Sequence, residues 1–142
     1  MNPFDATADP DRHAIWQMLM AKDSEAFVRQ DWSMVADDFD TESFEGVRCG
    51  NSTNPDNWRI VFPRLEDYRD AWLSAARDFA TKRFEGMTPF EAVMSRCRLE
   101  QIDISGRIAL AHKKFLDRQT LYRLRNRAGD WKIVGFLGYL PL

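Results

Sequence analysis

Apolar residues recur at helical spacing through the first two thirds of the chain and alternate with polar ones in the last third. Ile15, Trp16, Leu19 and Met20 share one side of a predicted helix. Asp9 supplies its cap, and Pro10 takes the first helical position, where a missing N–H costs nothing. Ser24 is expected to start a short second helix carrying Ala26 and Phe27. Asp31 is expected to cap a third, with Trp32, Val35 and Phe39 on one face and Asp37, Asp38 and Asp40 at its end. Phe44 to Gly50 reads as a short strand and 51–57 (NSTNPDN) as a loop. A second extended segment carries Trp58, Ile60 and Phe62. The longest helix opens at Pro63, runs Leu65, Tyr68, Trp72, Ala75, Ala76, Phe79 and Arg83 down one side, and stops at Gly86. Thr88, Pro89 and Glu91 form the signature of a capping box and one further short helix.

The last third reads as two hairpins. Arg96 to Ile104 and Arg107 to Leu116 flank Ser105-Gly106; Gln119 to Arg127 and Asp130 to Leu140 flank Ala128-Gly129. Helices first and a mostly antiparallel sheet last predict an α+β fold, with the helices on one face of the sheet. No repeat or linker divides the 142 residues, so one domain is expected.

Composition excludes several classes. Hydrophobic residues are 44% and charged residues 30%, as in folded soluble domains rather than disordered or disulfide-built ones. Charge is uneven: residues 1–45 hold 11 acids and 3 bases, the remainder 11 acids and 17 bases. The bases are scattered among acids at alternating strand positions, and no aromatic RNA-binding signature accompanies them, so no nucleic-acid partner is expected. The start, MNPFDATADPD, lacks the parts of a signal peptide, and the longest nearly apolar run, IVGFLGYLPL, is far short of the ~20 residues that span a bilayer. A cytoplasmic location without membrane contact is expected, with Cys49 and Cys97 as free thiols. The two histidines lie far apart and no metal-ligand spacing, phosphate cradle or nucleophile elbow is present, so no metal is expected.

Two segments carry a resemblance. AFVRQDWSMVADDF at 26–39 is similar to the second-helix region, and GDWKIVGFLGYLP at 129–141 to the last strand, of SnoaL-like proteins in the nuclear-transport-factor-2-like (NTF2-like) superfamily. The resemblance implies a cone-shaped α+β fold around a deep apolar pocket with a few polar groups, no cofactor, and a small apolar or aromatic ligand. The superfamily includes ketosteroid isomerases, polyketide cyclases, scytalone dehydratases and limonene epoxide hydrolases, beside non-catalytic members. The isomerase's base, an Asp, falls near Ser43 here, and a second Asp falls near Tyr122. Both departures argue against ketosteroid isomerase activity itself. What remains is a cofactor-free lyase, isomerase or cyclase, or a non-catalytic ligand-binding or assembly module.

Strand geometry names the candidates. An Ala128-Gly129 turn pairs Asn126 with Trp131, Leu124 with Ile133 and, if the register continues, Tyr122 with Gly135. The side chain missing at Gly135 would open a void beside the Tyr122 phenol, a group able to orient or protonate a carbonyl ligand. In the other hairpin a two-residue loop sets Leu99 opposite His112. A three-residue loop sets Glu100 opposite His112 and gathers Ile102, Ile104, Ile108 and Leu110 on one face. That second register would make Glu100 and His112 an acid/base pair. Trp16, Trp58, Tyr68 and Trp72 are the aromatic candidates for the pocket lining.

The final strand predicts a dimer. Its inner set would be Trp131, Ile133, Gly135, Leu137 and Tyr139, its outer set Lys132, Val134, Phe136, Gly138 and Leu140. An outer set this apolar, with Val134 and Phe136 at its centre, would need a partner, and a homodimer through the outer sheet face is expected. Sheet-to-sheet dimers are also what the resemblance implies.

Overall fold

The computed structural model describes residues 1–50 and 52–139. Four helices, α1 (Pro10–Trp16), α2 (Asp23–Arg29), α3 (Leu65–Ala80) and α4 (Pro89–Arg96), pack on one face of a six-stranded sheet. Its strands are β1 (Glu45–Arg48), β2 (Arg59–Phe62), β3 (Cys97–Ser105), β4 (Ile108–Phe115), β5 (Arg118–Arg127) and β6 (Asp130–Tyr139), in the order β2-β1-β6-β5-β4-β3. β1 lies parallel to β6 and every other neighbour is antiparallel. This is the α+β architecture expected. Among the described residues no helix is long and apolar enough to cross a membrane.

The first helical region is more continuous than expected. Asp9 caps α1 through the Arg12 N–H, with Pro10 in the first turn. The chain does not break before Ser24; it passes through a π-helical turn, Gln17–Lys22, into α2. The wider turn rotates the faces of the two segments, so one helix reads like two in the pattern of apolar positions. The helix expected from Asp31 is instead two 3₁₀ turns, Trp32–Met34 and Ala36–Asp38; Asp31 caps the first through the Ser33 N–H. The Thr88–Glu91 capping box forms as expected.

Register decides which side chains enter the core. The Ala128-Gly129 turn pairs Arg127 with Asp130, and Leu124 meets Ile133 as expected. A bulge at Val134 then shifts the pairing by one: Gly135 faces Arg123, and Tyr122 faces Phe136. From there every side chain changes face. Phe136 points inward and is 3% exposed, which corrects its placement on an outer interface. Val134 is half-buried, and Leu140 lies outside the described residues. Gly135 sits on the outer face with the Arg123 guanidinium lying across it, so it leaves no void beside Tyr122.

The β3–β4 hairpin turns one residue later than either expected loop. Ser105 pairs with Ile108 and Gln101 with His112, while Glu100 is the extra residue of a second bulge. Ile102 and Ile104 face the helices; Ile108 and Leu110 are exposed on the opposite face. The observed register therefore does not gather these four on one side, as the three-residue loop would have.

The corrected placement of Phe136 has a measurable consequence. Phe136→Ala should lower unfolding free energy by about 3–5 kcal/mol in urea titrations, the range for emptying a buried aromatic site. A loss below about 1 kcal/mol would place the ring at the surface after all.

Candidate functional site

Between α3 and the sheet lies a cavity of about 410 Å³, within the range of small-molecule sites. Cross-strand rows on the inner face carry its sheet-side lining residues, Tyr122 from the first row, Arg48, Thr120 and Lys113 from the second, and Arg118, Phe115 and Cys97 from the third. One row runs Phe62, Gly46, Phe136, Tyr122, Ala111 and Ile102. The next runs Arg48, Gly138, Thr120, Lys113 and Leu99, and the last pairs Arg118, Phe115 and Cys97. A band of polar side chains therefore crosses the wall. α3 closes the opposite side with Tyr68, Trp72, Ala75 and Phe79, and α2 with Asp23 and Phe27.

Asp23 and Lys113 are the charged centre. Lys113 Nζ lies 3.2 Å from Asp23 Oδ2 and donates to the Leu19 carbonyl at 2.5 Å, within the π-helical turn. The Trp72 indole N–H donates to the other Asp23 oxygen at 3.2 Å. The Lys113 side chain is 8% exposed and that of Asp23 29%, the more open member of the pair. Burial, the largest single influence, would lower the Lys113 pKa; the Asp23 charge, with smaller contributions from Cys97, the Asp23 hydrogen bond and Tyr68, together outweigh it and hold the ammonium above its ordinary value.

Two phenols stand beside the pair. Burial, foremost, raises the pKa of Tyr122 and of Tyr68 far above the usual tyrosine value, so both remain neutral hydrogen-bond donors. Tyr68 is also the hub of an aromatic cluster, with ring centroids 5.1 Å from Phe136, 5.4 Å from Phe62, 5.6 Å from Phe44, 5.7 Å from Phe39 and 6.0 Å from Trp32. Asp38 borders the inner end through a second pocket shared with Asp23, Tyr68 and Tyr122. Burial pushes its carboxyl up despite the Lys22 ammonium 3.0 Å away, and its second oxygen has no hydrogen-bond partner among the described residues.

The expected site residues divide sharply. Tyr122, Tyr68 and Trp72 line the cavity. Trp16 is buried in the core on α1 and does not reach it, and Trp58 is 47% exposed at the entry to β2. His112 faces the opposite side of the sheet, where Nε2 lies 2.5 Å from Gln119 Oε1 and 3.4 Å from the Tyr139 hydroxyl. Glu100 is on that side too, ion-paired to Arg98 and Lys114. The bulge at Glu100 prevents the expected Glu100–His112 pair. Ser43, where the resemblance places an isomerase base, accepts from Arg125 and lies away from the cavity. Sequence reasoning missed Asp23, Lys113, Arg48, Thr120 and Arg118. The signal was available for Lys113: its alternation with Ala109 and Ala111 marks the inner face once the hairpin turn is placed correctly.

Cys49 and Cys97 are free and buried, and burial raises both thiol pKa values, which makes them poor nucleophiles.

Comparison with solved structures identifies the fold. An NTF2-like protein of unknown function from Shewanella baltica OS155 superposes with a TM-score of 0.61 at 16% identity, covering 94% of this chain and 95% of its own. An NTF2-like protein with a cystatin-like fold from Novosphingobium aromaticivorans gives 0.52 at 13%, covering 94% and 84%. A Streptomyces avermitilis protein of the NTF2-like family, provisionally named a dehydratase, gives 0.56 at 11%, covering 95% and 99%. Neither a protein-family profile nor a curated protein matches the sequence. The chain therefore has the NTF2-like, cystatin-like α+β fold; its likeness to SnoaL-like proteins rests on the two sequence segments alone.

Replacing Lys113 with Met should reduce stability at neutral pH by about 3 kcal/mol, because it strands the Asp23 carboxylate. A folded-state pKa raised above 10.5 means that the Lys113 contribution is full below pH 10.5 and drains away as pH climbs through the raised value. The stability gap between wild type and Lys113→Met should thus hold constant from neutrality to pH 10.5 and narrow above it. A gap that widens in alkali would contradict the pairing.

Proposed function

We propose that this protein binds a small, mostly apolar carbonyl or hydroxyl compound in the cone and catalyses a cofactor-free acid/base step of the lyase, isomerase or cyclase kind. The supporting observation is the Asp23–Lys113 pair opening into an aromatic cavity beside two neutral phenols. Burying an ion pair is expensive, and apolar residues of similar volume often serve stability as well or better. A pair retained beside a cavity suits chemistry more than packing.

The roles follow from charge. Asp23 is the base that takes a proton from the carbon next to a carbonyl. Tyr122 donates a hydrogen bond to the carbonyl oxygen. As Asp23 becomes neutral, the Lys113 ammonium loses its partner and its field turns to the developing enolate, so total charge in the site is unchanged. Return of the Asp23 proton to another carbon completes an isomerisation; its transfer to a β-hydroxyl, which leaves as water while the enolate collapses to the alkene, completes a dehydration and restores the carboxylate. Tyr68 and Trp72 hold the apolar body of the ligand. His112, Glu100, Trp16 and Trp58 have no part.

The second reading is a non-catalytic binding module, favoured by the same carboxylate's bonds to Lys113 and Trp72, which suit a structural pin. Hydrogen–deuterium exchange into 2-tetralone, followed by NMR in D₂O, separates the two. Catalysis predicts wild-type exchange above background, lowered by about 10²-fold or more in Asp23→Asn. It predicts a smaller loss in Tyr122→Phe, at a stability cost of about 1 kcal/mol. Binding that broadens the ligand signals without exchange would support the module.

A homodimer belongs to the same proposal, with revised residues. Ile60, Val47, Leu137 and Leu121 form an apolar row across the outer sheet face. Leu110 beside it is 41% exposed, and Arg123 and Arg125 follow at the edge. A second copy related by a two-fold axis would set row against row and leave the arginines at the rim. Light scattering should give twice the 16.6 kDa chain mass for wild type and a folded monomer for Leu137→Glu. A monomeric wild type at micromolar concentration would overturn the dimer.

A further inference from the structure

The charges lining the cavity do not balance. Arg48, Lys82, Lys113 and Arg118 face it with only Asp23 and Asp78 as carboxylates. Both carboxylates are engaged, Asp23 by Lys113 and Asp78 by Lys82. Arg48 and Arg118 are left without an ion-pair partner among the described residues, although both line one cavity.

Arg48 is held in place rather than loosely solvated. Its stem crosses Gly138, where an added Cβ would meet Arg48 Cγ at 3.2 Å. Its guanidinium lies 4.9 Å from the centroid of Phe62 and 5.9 Å from that of Phe136. Stacking on two rings orients the planar donor fork and removes part of its water. Arg118 stands two residues before Thr120 on the same face of β5, and the Arg48 row passes through Thr120 to Lys113. Two like charges so arranged repel each other: burial foremost weakens the hold of Arg48 on its proton, and the Arg118 charge adds to it against the opposing influence of Tyr68. An anion between them would relieve the repulsion and satisfy donors in fork geometry.

We infer that the ligand is an amphipathic carboxylic acid, its carboxylate gripped by Arg48 and Arg118 and its ring or chain lying along Tyr68, Trp72 and Phe79 toward Asp23 and Tyr122. The inference rests on the reading of this cavity as the ligand site and adds the substrate class. A carboxylate fits better than a phosphate. Six aromatic rings line the cavity and suit an apolar body, and a monoanion costs less to desolvate beside them than a dianion.

The test compares 2-naphthoate with its neutral counterpart 2-naphthamide and with 2-naphthyl phosphate. Affinities are read by NMR titration for wild type, Arg48→Met and Arg118→Met, with folding checked by circular dichroism. Methionine keeps an apolar stem over Phe62 and Phe136. Wild type should bind the acid about tenfold or more tighter than the amide, as a charge-assisted hydrogen bond does. Each variant should lose most of that preference by weakening the acid while leaving the amide unchanged. The acid's advantage should also fall as salt is raised.

Equal affinity for acid and amide would overturn the inference. So would a preference that survives both substitutions, tighter binding of the phosphate, or no saturable binding of the acid at millimolar concentration. Binding alone is measured, so the catalytic proposal can fail in the exchange assay while this one stands. If the amide binds as well as the acid, the cavity remains a ligand site and the arginine clamp falls.

Discussion

The Asp23–Lys113 ion pair joins the two layers of the molecule. Lys113 projects from the C-terminal half of β4 and Asp23 is the first residue after the π-helical turn, so one contact fixes the first helical region against the sheet. Desolvating two charges is unfavourable, and each partner has further hydrogen bonds that offset the cost. Lys113 reaches the Leu19 carbonyl and Asp23 receives the Trp72 indole. Through Trp72 the pair also reaches α3, which closes the cavity. Three elements thus converge on one pair of charges, and the cavity lies where their side chains cannot fill the space between them.

Two strand bulges are the second constraint. Each inserts one residue and moves the side chains beyond it to the other face. The bulge at Val134 turns Phe136 inward, where it packs against Tyr68, Phe62 and Phe44 and carries part of the Arg48 cation. The bulge at Glu100 sends that carboxylate to the outer face and separates it from His112. Aromatic ring cluster, polar band and outer apolar row depend on these insertions and on a third register shift, between β1 and β2, that sets Val47 opposite Ile60 while Phe62 faces Gly46.

This is also where the sequence stopped being legible. Local signals were strong wherever one residue type has one physical job: the spacing of Tyr68, Trp72 and Phe79, the Thr88–Glu91 capping box, the Ala128-Gly129 turn. The helix-then-sheet order gave the fold class. Of the site, Tyr122, Tyr68 and Trp72 were readable because large rings at regular spacing must bury something. The cross-strand neighbour of Tyr122 is Phe136 rather than the expected Gly135, which faces Arg123. Bulges leave no periodic trace in a strand already rich in apolar residues, so Phe136 and His112 could not be placed by alternation alone. Asp23 was hidden by the π-helical turn, which made it read as a boundary between two helices.

The most direct measurement is an NMR titration with 2-naphthoate, tracking the Asp23 side-chain carboxyl, the Lys113 ammonium and the Tyr122 ring. The account predicts that these signals move together and saturate with one affinity, while those of His112 and Glu100 on the opposite face stay still. Shifts confined to the outer face, or none at Asp23, Lys113 and Tyr122 while the ligand binds, would contradict it.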